Sequence, residues 1–466
     1  MSDRPQRTNT YTAEATSDRY RQCLFDWLAA QPSLWNQINY RRRQAYFSDD
    51  GDVWDAEYTD LYDEYAPIVG KATCQQIARK NSEAWRSYFQ LLDQYHDESS
   101  PAVTENPSPP GYWGNRSDGY ELHGLVRNDL YTFDWDEDKS TLEFGVGNVL
   151  EDRYNFEYQE RITLEVRGNP QWNGDDSRLE LIYDEHADQL RVQHPVRIQP
   201  DKRRKQRQDV FTHTLDTENT TQSAAIDVGA NNTLAIVTES GDTAVYHARP
   251  EFDRFQSYSE RIATLQSELP NDAYTSHRIK RLYDARSRSR DHSRDAAVKH
   301  AAEWLLKRNV DTVYVGDLVD VLDTHWSANV NEKTHNFWSH RQLLTRIRLT
   351  VGDVGIAVVE VSEADSSSEC PECGGCDVTR RGDLFRCHDC ALDGHSDVAG
   401  AWNILQQEVG SMARPAALSA ERGRGAPREG AYWQWNEHDW IPADFGEQSR
   451  SLDQPSVSKP ASSQPG

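Results

Sequence analysis

Four cysteines and a small set of carboxylates are the residues of this chain whose types and spacing suggest chemistry. The cysteines form two Cys-x-x-Cys pairs thirteen residues apart, Cys370/Cys373 and Cys387/Cys390. Thiolates at this spacing are typical of a zinc ribbon, in which protein sulfurs take all four tetrahedral positions around one Zn²⁺. We therefore predict a structural zinc site. Cys376 and His388 are spare donors nearby, and we do not assign them as ligands.

Three aspartates lie where strands or helices are predicted to begin or end. Asp227 ends an apolar run, Asp317 follows the run 312–315, and Asp397 precedes a helical run seven residues after Cys390. Carboxylates at the ends of adjacent strands can share two divalent cations about 4 Å apart, and hard oxygen ligands favour Mg²⁺ or Mn²⁺. Singly, each aspartate has an ordinary explanation as a turn former or a helix N-cap. Their placement in the strand order favours a catalytic role.

The elements that must position these residues follow a recognisable order. Strands are predicted at 224–228, 233–238, 243–247, 312–315 and 356–359, with helices at 252–268, 276–309 and 335–354. Three strands followed by helix, strand, helix and strand predict an RNase H-like α/β domain. Upstream, 17–96 has helical spacing, and 119–199 has short alternating strands that predict an antiparallel sheet or small barrel.

Composition limits where the protein works. The net charge is −25, and only 10 of the 51 basic residues are lysine. This pattern is typical of a halophile, and we predict a halophilic archaeal protein. At molar salt the Debye length is about 3 Å, so local arginine clusters rather than the net charge decide contact with phosphates. Five of seven cysteines lie within 370–390, and no signal peptide or apolar span is evident, so we predict a soluble, cytoplasmic protein without a membrane partner.

Three basic clusters are candidates for nucleic-acid binding, although a single cluster is usually a solvated surface. Three in so acidic a chain favour contact with phosphates. The candidate residues are Arg41, Arg42, Arg43, Lys202, Arg203, Arg204, Lys205, Arg278, Lys280, Arg281 and Arg286.

Several motifs together resemble the TnpB family, the OrfB-type proteins of bacterial and archaeal insertion sequences, which are relatives of type V CRISPR effectors. The matching stretches are 226–229, 278–283, 315–318, 335–340, the two cysteine pairs, and Asp397-Val398 through Asn403-Ile404. Their order is the family's, and the resemblance is specific from 221 to 405. It implies cleavage of double-stranded DNA guided by an RNA from the transposon end.

The resemblance also implies a domain plan. Residues 1–16 would begin a β-barrel wedge domain that continues at 97–215, with a helical recognition segment inserted at 17–96. A RuvC-like nuclease domain would occupy 216–365, with a helical segment at 252–309, and end at 393–410 after a zinc ribbon at 366–392. We expect 411–466 to be mostly disordered, with Trp433, Trp435 and Trp440 as residues that could anchor part of it.

One position departs from the family pattern. The family carries a glutamate before the Asp-Leu of its third motif, and here that residue is Gly316. Asp317 is adjacent, but neighbouring strand residues face opposite sides. Glu363 and Glu360 are alternative third carboxylates. Two interpretations follow: an active metal-dependent endonuclease, which the retention of Asp227 and Asp397 favours, or a guided DNA-binding protein with weak or no cleavage.

Two further classes of protein stay open at this point. A cut-and-paste transposase would also use carboxylates, but no separate tyrosine-nucleophile motif stands out. A regulator that binds nucleic acid through the ribbon and helices would need no catalytic metal. Metal-dependent cleavage separates these classes.

Overall fold

The computed structural model of the protein describes most of the chain. It covers residues 6–48, 51–96, 106–113, 121–136, 139–184, 188–198, 211–229, 231–270, 275–317, 337, 339–362, 369–415, 417–419 and 431–443. The chain divides into two units, Met1–Gln206 and Arg207–Gly466. The mixed α/β class expected from the sequence is confirmed. None of the helices within the described ranges has the length and apolar character needed to cross a membrane.

The first unit is built on an antiparallel sheet. Its strands are β1 (Gln6–Ala15), β2 (Glu121–Val126), β3 (Tyr131–Asp134), β4 (Ser140–Phe144), β5 (Ile162–Arg167), β6 (Asp175–Asp176), β7 (Leu179–Asp184) and β8 (Gln189–Arg197). They pair in the order β2-β7-β8-β1-β5-β4-β3, with β6 on β8. Buried and partly exposed residues alternate along β4, β5 and β8, as expected for strands with one core face. Residues 6–15 therefore belong to this sheet. The pairing forms an open path, so the predicted barrel is not confirmed.

Helices cover this sheet. They are α1 (Asp18–Tyr46), α2 (Leu61–Val69), α3 (Lys71–His96) and α4 (Asn148–Arg153). Helix α1 begins where the Ser17 side chain accepts a hydrogen bond from the backbone N–H of Tyr20, a typical N-cap. The indole of Trp27 is fully buried and lies 5.0 Å from the ring of Phe144 on β4, so α1 shares the core of the sheet.

A buried polar network joins α1 to α3. Arg42 donates to Asn81 at 2.8 Å, Asn81 donates to Asn39 at 3.3 Å, and the indole of Trp85 donates to the same Asn39 oxygen at 3.0 Å. Because these side chains are buried, each polar group needs a partner within the protein. The network therefore fixes how the two helices pack.

The second unit contains a seven-stranded sheet. Its strands are β9 (Gln222–Asp227), β10 (Asn232–Thr238), β11 (Thr243–His247), β12 (Val310–Asp317), β13 (Ala357–Ser362), β18 (Ala431–Trp435) and β19 (Trp440–Pro442). They pair in the order β13-β12-β9-β10-β11-β18-β19. Strand β9 is parallel to β12 and antiparallel to β10. The first five strands therefore follow the order of elements predicted from the sequence.

Helices cover both faces of this sheet. Helices α5 (Arg249–Ser267), α6 (His277–Leu306) and α7 (His340–Asp353) follow β11 and β12 in the chain, and α8 (Ser396–Val409) follows the cysteine pairs. Ile226 and Val315 pack with α6 and α7 on one face. Ala225 and Ala235 pack with α8 on the other. Alternate residues of β9 therefore point to different helical layers.

The cysteine-rich segment forms a small sheet of its own. Its strands are β14 (Val378–Arg381), β15 (Leu384–Cys387), β16 (Asp393–His395) and β17 (Leu418–Ser419), paired in that order and antiparallel. Strand β16 leads directly into α8. The ribbon is thus continuous in the chain with the helix that carries Asp397.

Residues 431–443, within the segment expected to be mostly disordered, form two strands. Strand β18 pairs with β11 in parallel, and β19 turns back on β18. Trp435 and Trp440 are buried in the core on the α6 side of the sheet, and the indole of Trp440 donates to the Ser293 carbonyl at 3.2 Å. The tryptophans named as anchors have this role because their large apolar area finds a core to enter.

Candidate active site and metal centre

Asp227 and Asp397 meet where α8 crosses the end of β9. Asp227 is the last residue of β9, and Asp397 lies in the first turn of α8. A Cβ atom at Gly400, one turn after Asp397, would be 2.5 Å from the Asp227 Oδ2 atom. A Cβ atom at Gly229 would be 3.2 Å from the Asp397 Oδ2 atom. The two carboxylates therefore lie on the same face of the sheet, against glycines that leave them room.

Three hydrogen bonds hold Asp397. Its Oδ2 atom accepts from Asn232 Nδ2 at 2.8 Å, and its Oδ1 atom accepts from Ser396 Oγ at 3.0 Å. Its backbone N–H donates to His395 Nδ1 at 3.2 Å, so His395 is the N-cap of α8. Burial lowers the pKa of His395, which keeps the ring neutral and lets Nδ1 accept. Both carboxylate oxygens are thus oriented by protein donors.

Gly316 occupies the sheet position beside Asp227. Val315 on β12 pairs with Ile226 on β9, so one residue further along both strands Gly316 adjoins Asp227. Residues side by side in a parallel pair face the same way. A glutamate at 316 would therefore point toward the pair of carboxylates, which agrees with the role the family pattern implies.

The proposed substitutes for that glutamate have different positions. Glu360 on β13 pairs with Val315, which puts it on the face opposite Asp227, and its Oε1 atom lies 3.8 Å from Arg348 Nη1. This position argues against Glu360 as the third carboxylate. Asp317 pairs in register with Ser362 at the end of β12, but its side chain is outside the described part. Glu363 also lies outside the described residues.

The four predicted zinc ligands come together. Their sulfur atoms all lie within 4.8 Å of one another, with Cys370 and Cys390 at 3.6 Å and Cys373 and Cys387 at 3.7 Å. Four sulfurs at about 2.3 Å from one zinc ion are separated by about 3.8 Å in a tetrahedron. The cluster therefore fits a zinc ion. Among the described residues it is the one group of three or more Cys, His, Asp or Glu side chains close enough to hold a metal.

The spare donors do not join the cysteine cluster. Cys376 is exposed, and His388 Nε2 lies 2.8 Å from Thr379 Oγ1. Around the cluster, the Cys370 N–H donates to the Gly375 carbonyl at 2.9 Å, and Gly374 adopts a positive φ of 69° that few other residues tolerate. The knuckle is therefore shaped by its glycines as well as by its sulfurs.

A ribbon arginine that sequence reasoning missed lies near the carboxylates. Arg380 on β14 stacks over the ring of Phe385 at 5.4 Å. Burial lowers its pKa, while the negative charges of Asp227 and Asp397 act in the opposite direction. Three arginines, Arg380, Arg381 and Arg386, lie between the cysteine pairs in the sequence, and nothing there indicates which of them faces the site.

The turn between β14 and β15 is also held close to Asp397 by an ion pair and hydrogen bonds. Asp383 Oδ2 accepts from Arg249 at 2.8 Å, and its Oδ1 atom accepts from Asn232 Nδ2 at 3.3 Å. The Ser396 N–H donates to the Asp383 carbonyl at 2.8 Å. These contacts join the β14–β15 turn to α5, to β10 and to the start of α8.

The basic cluster on α1 is largely engaged within the protein. Arg42 is 3% exposed and bonds Asn81, so the prediction that it contacts nucleic acid is corrected. Arg41 pairs with Asp60. Arg43 donates to the Pro110 carbonyl at 3.0 Å and lies over the exposed rings of Phe47 and Tyr112.

The cluster on α6 is more open. Arg278 and Arg281 are exposed and three residues apart, so they share one face of the helix. Arg286 stacks over Phe255 at 4.6 Å and donates to Ser259 at 2.9 Å, which ties it to α5. Lys280 is partly buried. The third cluster, Lys202, Arg203, Arg204 and Lys205, lies outside the described residues.

Several stretches of the sequence match known families and a known protein. Residues 193–322 match the family model OrfB_IS605, described as a probable transposase, and residues 340–404 match the model Cas12f1-like, TNB domain. The TnpB-like protein ORF457 of Acidianus two-tailed virus is 27% identical over 422 residues, which cover 85% of this chain and 86% of the viral protein.

Two solved structures also align with the chain. The cryo-EM structure of a Cas12f1–sgRNA–target DNA complex shares 12% identity and a TM-score of 0.45, covering 86% of this chain and 98% of that one. The mini-RNA-guided endonuclease CRISPR-Cas_phi3 shares 10% identity and a TM-score of 0.42, covering 88% and 94%.

The matched segments contain Asp227, the cysteine cluster and Asp397, and the viral relative extends the match through most of the chain. The resemblance expected from the motifs is thereby confirmed: this chain is similar to the TnpB and OrfB-type insertion-sequence proteins.

Proposed function

We propose that the protein is an RNA-guided DNA endonuclease that cuts phosphodiester bonds at Asp227 and Asp397. The observation that carries the proposal is the meeting of these two carboxylates, from distant parts of the chain, at the end of β9. A fold alone does not establish a function. Here the sheet order suits an RNase H-like, RuvC-like nuclease, and the acidic pair lies where such a sheet places its reactive groups.

The residues at this point suit a hard divalent cation. Asp227 and Asp397 would hold Mg²⁺ or Mn²⁺ through carboxylate oxygens. When bound, the cation supplies Lewis acidity to the scissile phosphate and to the attacking water. Asn232 and Ser396 orient the Asp397 oxygens, and Arg380 places a positive charge beside them. The chain thus combines carboxylates that would bind a divalent metal ion with a fixed positive charge, Arg380, that suits an anionic substrate.

The partners follow from the family and from the exposed charge. A guide RNA from the transposon end and a double-stranded DNA target are proposed on the strength of the similarity to OrfB-type and TnpB-like proteins. Arg278 and Arg281 are exposed on one face of α6 and offer contacts to phosphates without base selection. Sequence would then be read by base pairing with the guide.

One observation favours a second candidate function. Gly316 leaves the sheet position beside Asp227 without a carboxylate, and within the described ranges no third Cys, His, Asp or Glu joins Asp227 and Asp397 in a metal-binding group. A guided DNA-binding protein with weak or no cleavage would have such a site. Cleavage in the presence of a divalent metal separates the two candidates.

The first prediction tests the acidic pair. With guide RNA and Mg²⁺ or Mn²⁺, the purified protein should cut matched double-stranded DNA, and Asp227→Asn or Asp397→Asn should lower the rate by about 10³-fold or more while target binding persists. Cleavage is measured on labelled DNA and binding by gel shift. Glu360→Gln is the matched control and should cut normally, because its side chain faces away from Asp227. Wild-type binding without cutting in any metal would favour the guided binder.

The second prediction uses two helical glycines. Gly400→Ala would place a methyl group 2.5 Å from Asp227 Oδ2, whereas Gly352→Ala on α7 meets nothing within 4 Å. We expect Gly400→Ala to slow cleavage by about 10²-fold, because a small displacement of a reacting group is costly. Gly352→Ala should keep full activity and raise the free energy of unfolding by about 0.5–1 kcal/mol. Equal cleavage rates for the two variants would mean that Gly400 does not position Asp227.

The third prediction concerns zinc. The protein should contain one zinc ion per chain by elemental analysis, and Cys373→Ser should lower the zinc content, the melting temperature and the cleavage rate together. A closed four-thiolate site contributes folding energy directly. Cys376→Ser is the control, because Cys376 is an exposed cysteine outside the cluster. A Cys373→Ser protein with unchanged zinc content would exclude the assignment.

The fourth prediction concerns Arg380. Arg380→Ala should slow cleavage by about 10–100-fold and leave target binding unchanged, because a fixed positive charge stabilises the negative charge that develops on the phosphate. The exposed neighbour Arg381→Ala serves as the control. Single-turnover rates at saturating metal measure the effect. A larger loss of cleavage rate in the Arg381→Ala variant would show that Arg381, and not Arg380, has this role.

A further inference from the structure

A bulge in the second unit's sheet redirects one buried asparagine. Along the β10–β11 pair, Leu234 opposes Tyr246 and Asn232 opposes His247, so two steps on β10 match one step on β11. Thr233 is the extra residue. Bulges of this kind change which face of a sheet the following side chain meets.

The redirection brings Asn232 to Asp397. Leu234 and Ile236 pack in the core on the α6 side of the sheet. Regular alternation would send residue 232 to that same side. With the extra residue it faces α8 instead, where its Nδ2 atom lies 2.8 Å from Asp397 Oδ2. The bulge therefore places a neutral donor against a proposed metal ligand.

The amide of Asn232 is fully used, which fixes its orientation. Its Oδ1 atom lies 2.8 Å from His247 Nδ1, which must be the donor because a carbonyl oxygen can only accept. Its Nδ2 atom then has both hydrogens available, one for Asp397 at 2.8 Å and one for Asp383 at 3.3 Å. The side chain is 1% exposed, so no solvent competes for these bonds.

Resting on the proposed nuclease function, we infer that Asn232 is a positioning residue that orients Asp397 for the cation and couples it to the ribbon turn through Asp383. Asp383 is itself fixed by Arg249 at 2.8 Å. The ribbon is thereby connected to the active centre by a specific path, from Arg249 and Asp383 through Asn232 to Asp397.

The remaining capacity of Asp397 suits this role. Each carboxylate oxygen can accept about two hydrogen bonds or ligands, and Ser396 and Asn232 use one on each oxygen. One position on each oxygen is left for a cation. Partners behind a metal ligand typically change metal affinity by 10–100-fold when removed.

A direct ligand role for Asp383 fits the geometry less well. Its two oxygens already meet Arg249 and Asn232, and the residue is 8% exposed. A cation shared with Asp397 would have to displace the Asn232 donor that lies between them. Asp383 therefore acts as an anchor for Asn232.

The test compares two buried asparagines in the full-length protein. Asn403 on α8 is 9% exposed and donates to the Glu369 carbonyl at 3.0 Å. Asn232→Ala and Asn403→Ala should both lower the melting temperature. Only Asn232→Ala should raise the Mn²⁺ concentration for half-maximal cleavage, by about 10–100-fold, with most of the rate recovered at saturating Mn²⁺. Equal Mn²⁺ midpoints in the two variants would overturn the inference.

A second readout separates this inference from the nuclease proposal. Mn²⁺ binding is measured by electron paramagnetic resonance without nucleic acid, and the relevant site is the one lost in Asp227→Asn. Weaker binding in Asn232→Ala supports the positioning role even if the wild type never cuts DNA, in which case only the nuclease proposal fails. Unchanged binding in Asn232→Ala, in a wild type that does cut, removes the positioning role alone.

The path through Asp383 is tested by a double substitution. Asp383→Ala should weaken Mn²⁺ binding less than Asn232→Ala, and the Asn232→Ala/Asp383→Ala protein should be no weaker than Asn232→Ala alone, because both act on Asp397 through one side chain. Additive effects would show that Asp383 reaches the site by another route.

Discussion

The close contact of α8 with the end of β9 is the interaction on which the second unit depends. Small residues make it possible: Gly400 lies directly over the Asp227 carboxylate, with no Cβ to hold the helix away. Ala401 and Ile404 follow Asp397 and Gly400 by four residues on the same side of the helix, and their burial in the core stabilises the approach. Because Asp397 precedes that contact by one turn of the same helix, the packing that joins helix to sheet also joins the two carboxylates.

The ribbon fixes the start of this helix from the other side. The cysteine cluster holds the two knuckles together, and the turn between β14 and β15 is bound through Asp383 to Arg249 and through the Ser396 N–H to α8. The same hairpin carries Arg380 toward the acidic pair. A zinc ribbon with a closed coordination sphere has no chemistry of its own. Its physical contribution here is to hold the Arg380 guanidinium and the start of α8 in fixed positions.

The sequence was informative wherever one residue's environment follows from a regular period. The apolar strands β9 and β12 and the helices α6 to α8 could be predicted in this way. The spacing of the four cysteines and the place of Asp227 and Asp397 in the strand order singled out residues that the structure brings together. Asn232 could not, because a single extra residue reverses the face it meets. Arg42 was misjudged because charge alone does not reveal a buried hydrogen-bond network. The hairpin at 431–443 was missed because its pairing partner, β11, lies far away in the chain.

Gly316 changes the electrostatics of the site as well as its ligand count. A glutamate there would add a third negative charge beside Asp227 and Asp397, whereas the described residues supply two, with the positive Arg380 nearby. Each divalent cation is drawn by the carboxylates around it and repelled by neighbouring positive charge. Two cations close together need more compensating charge than one. For the proposed nuclease, two carboxylates and an arginine balance one divalent cation better than two, and any second cation would depend on a carboxylate from outside the described residues.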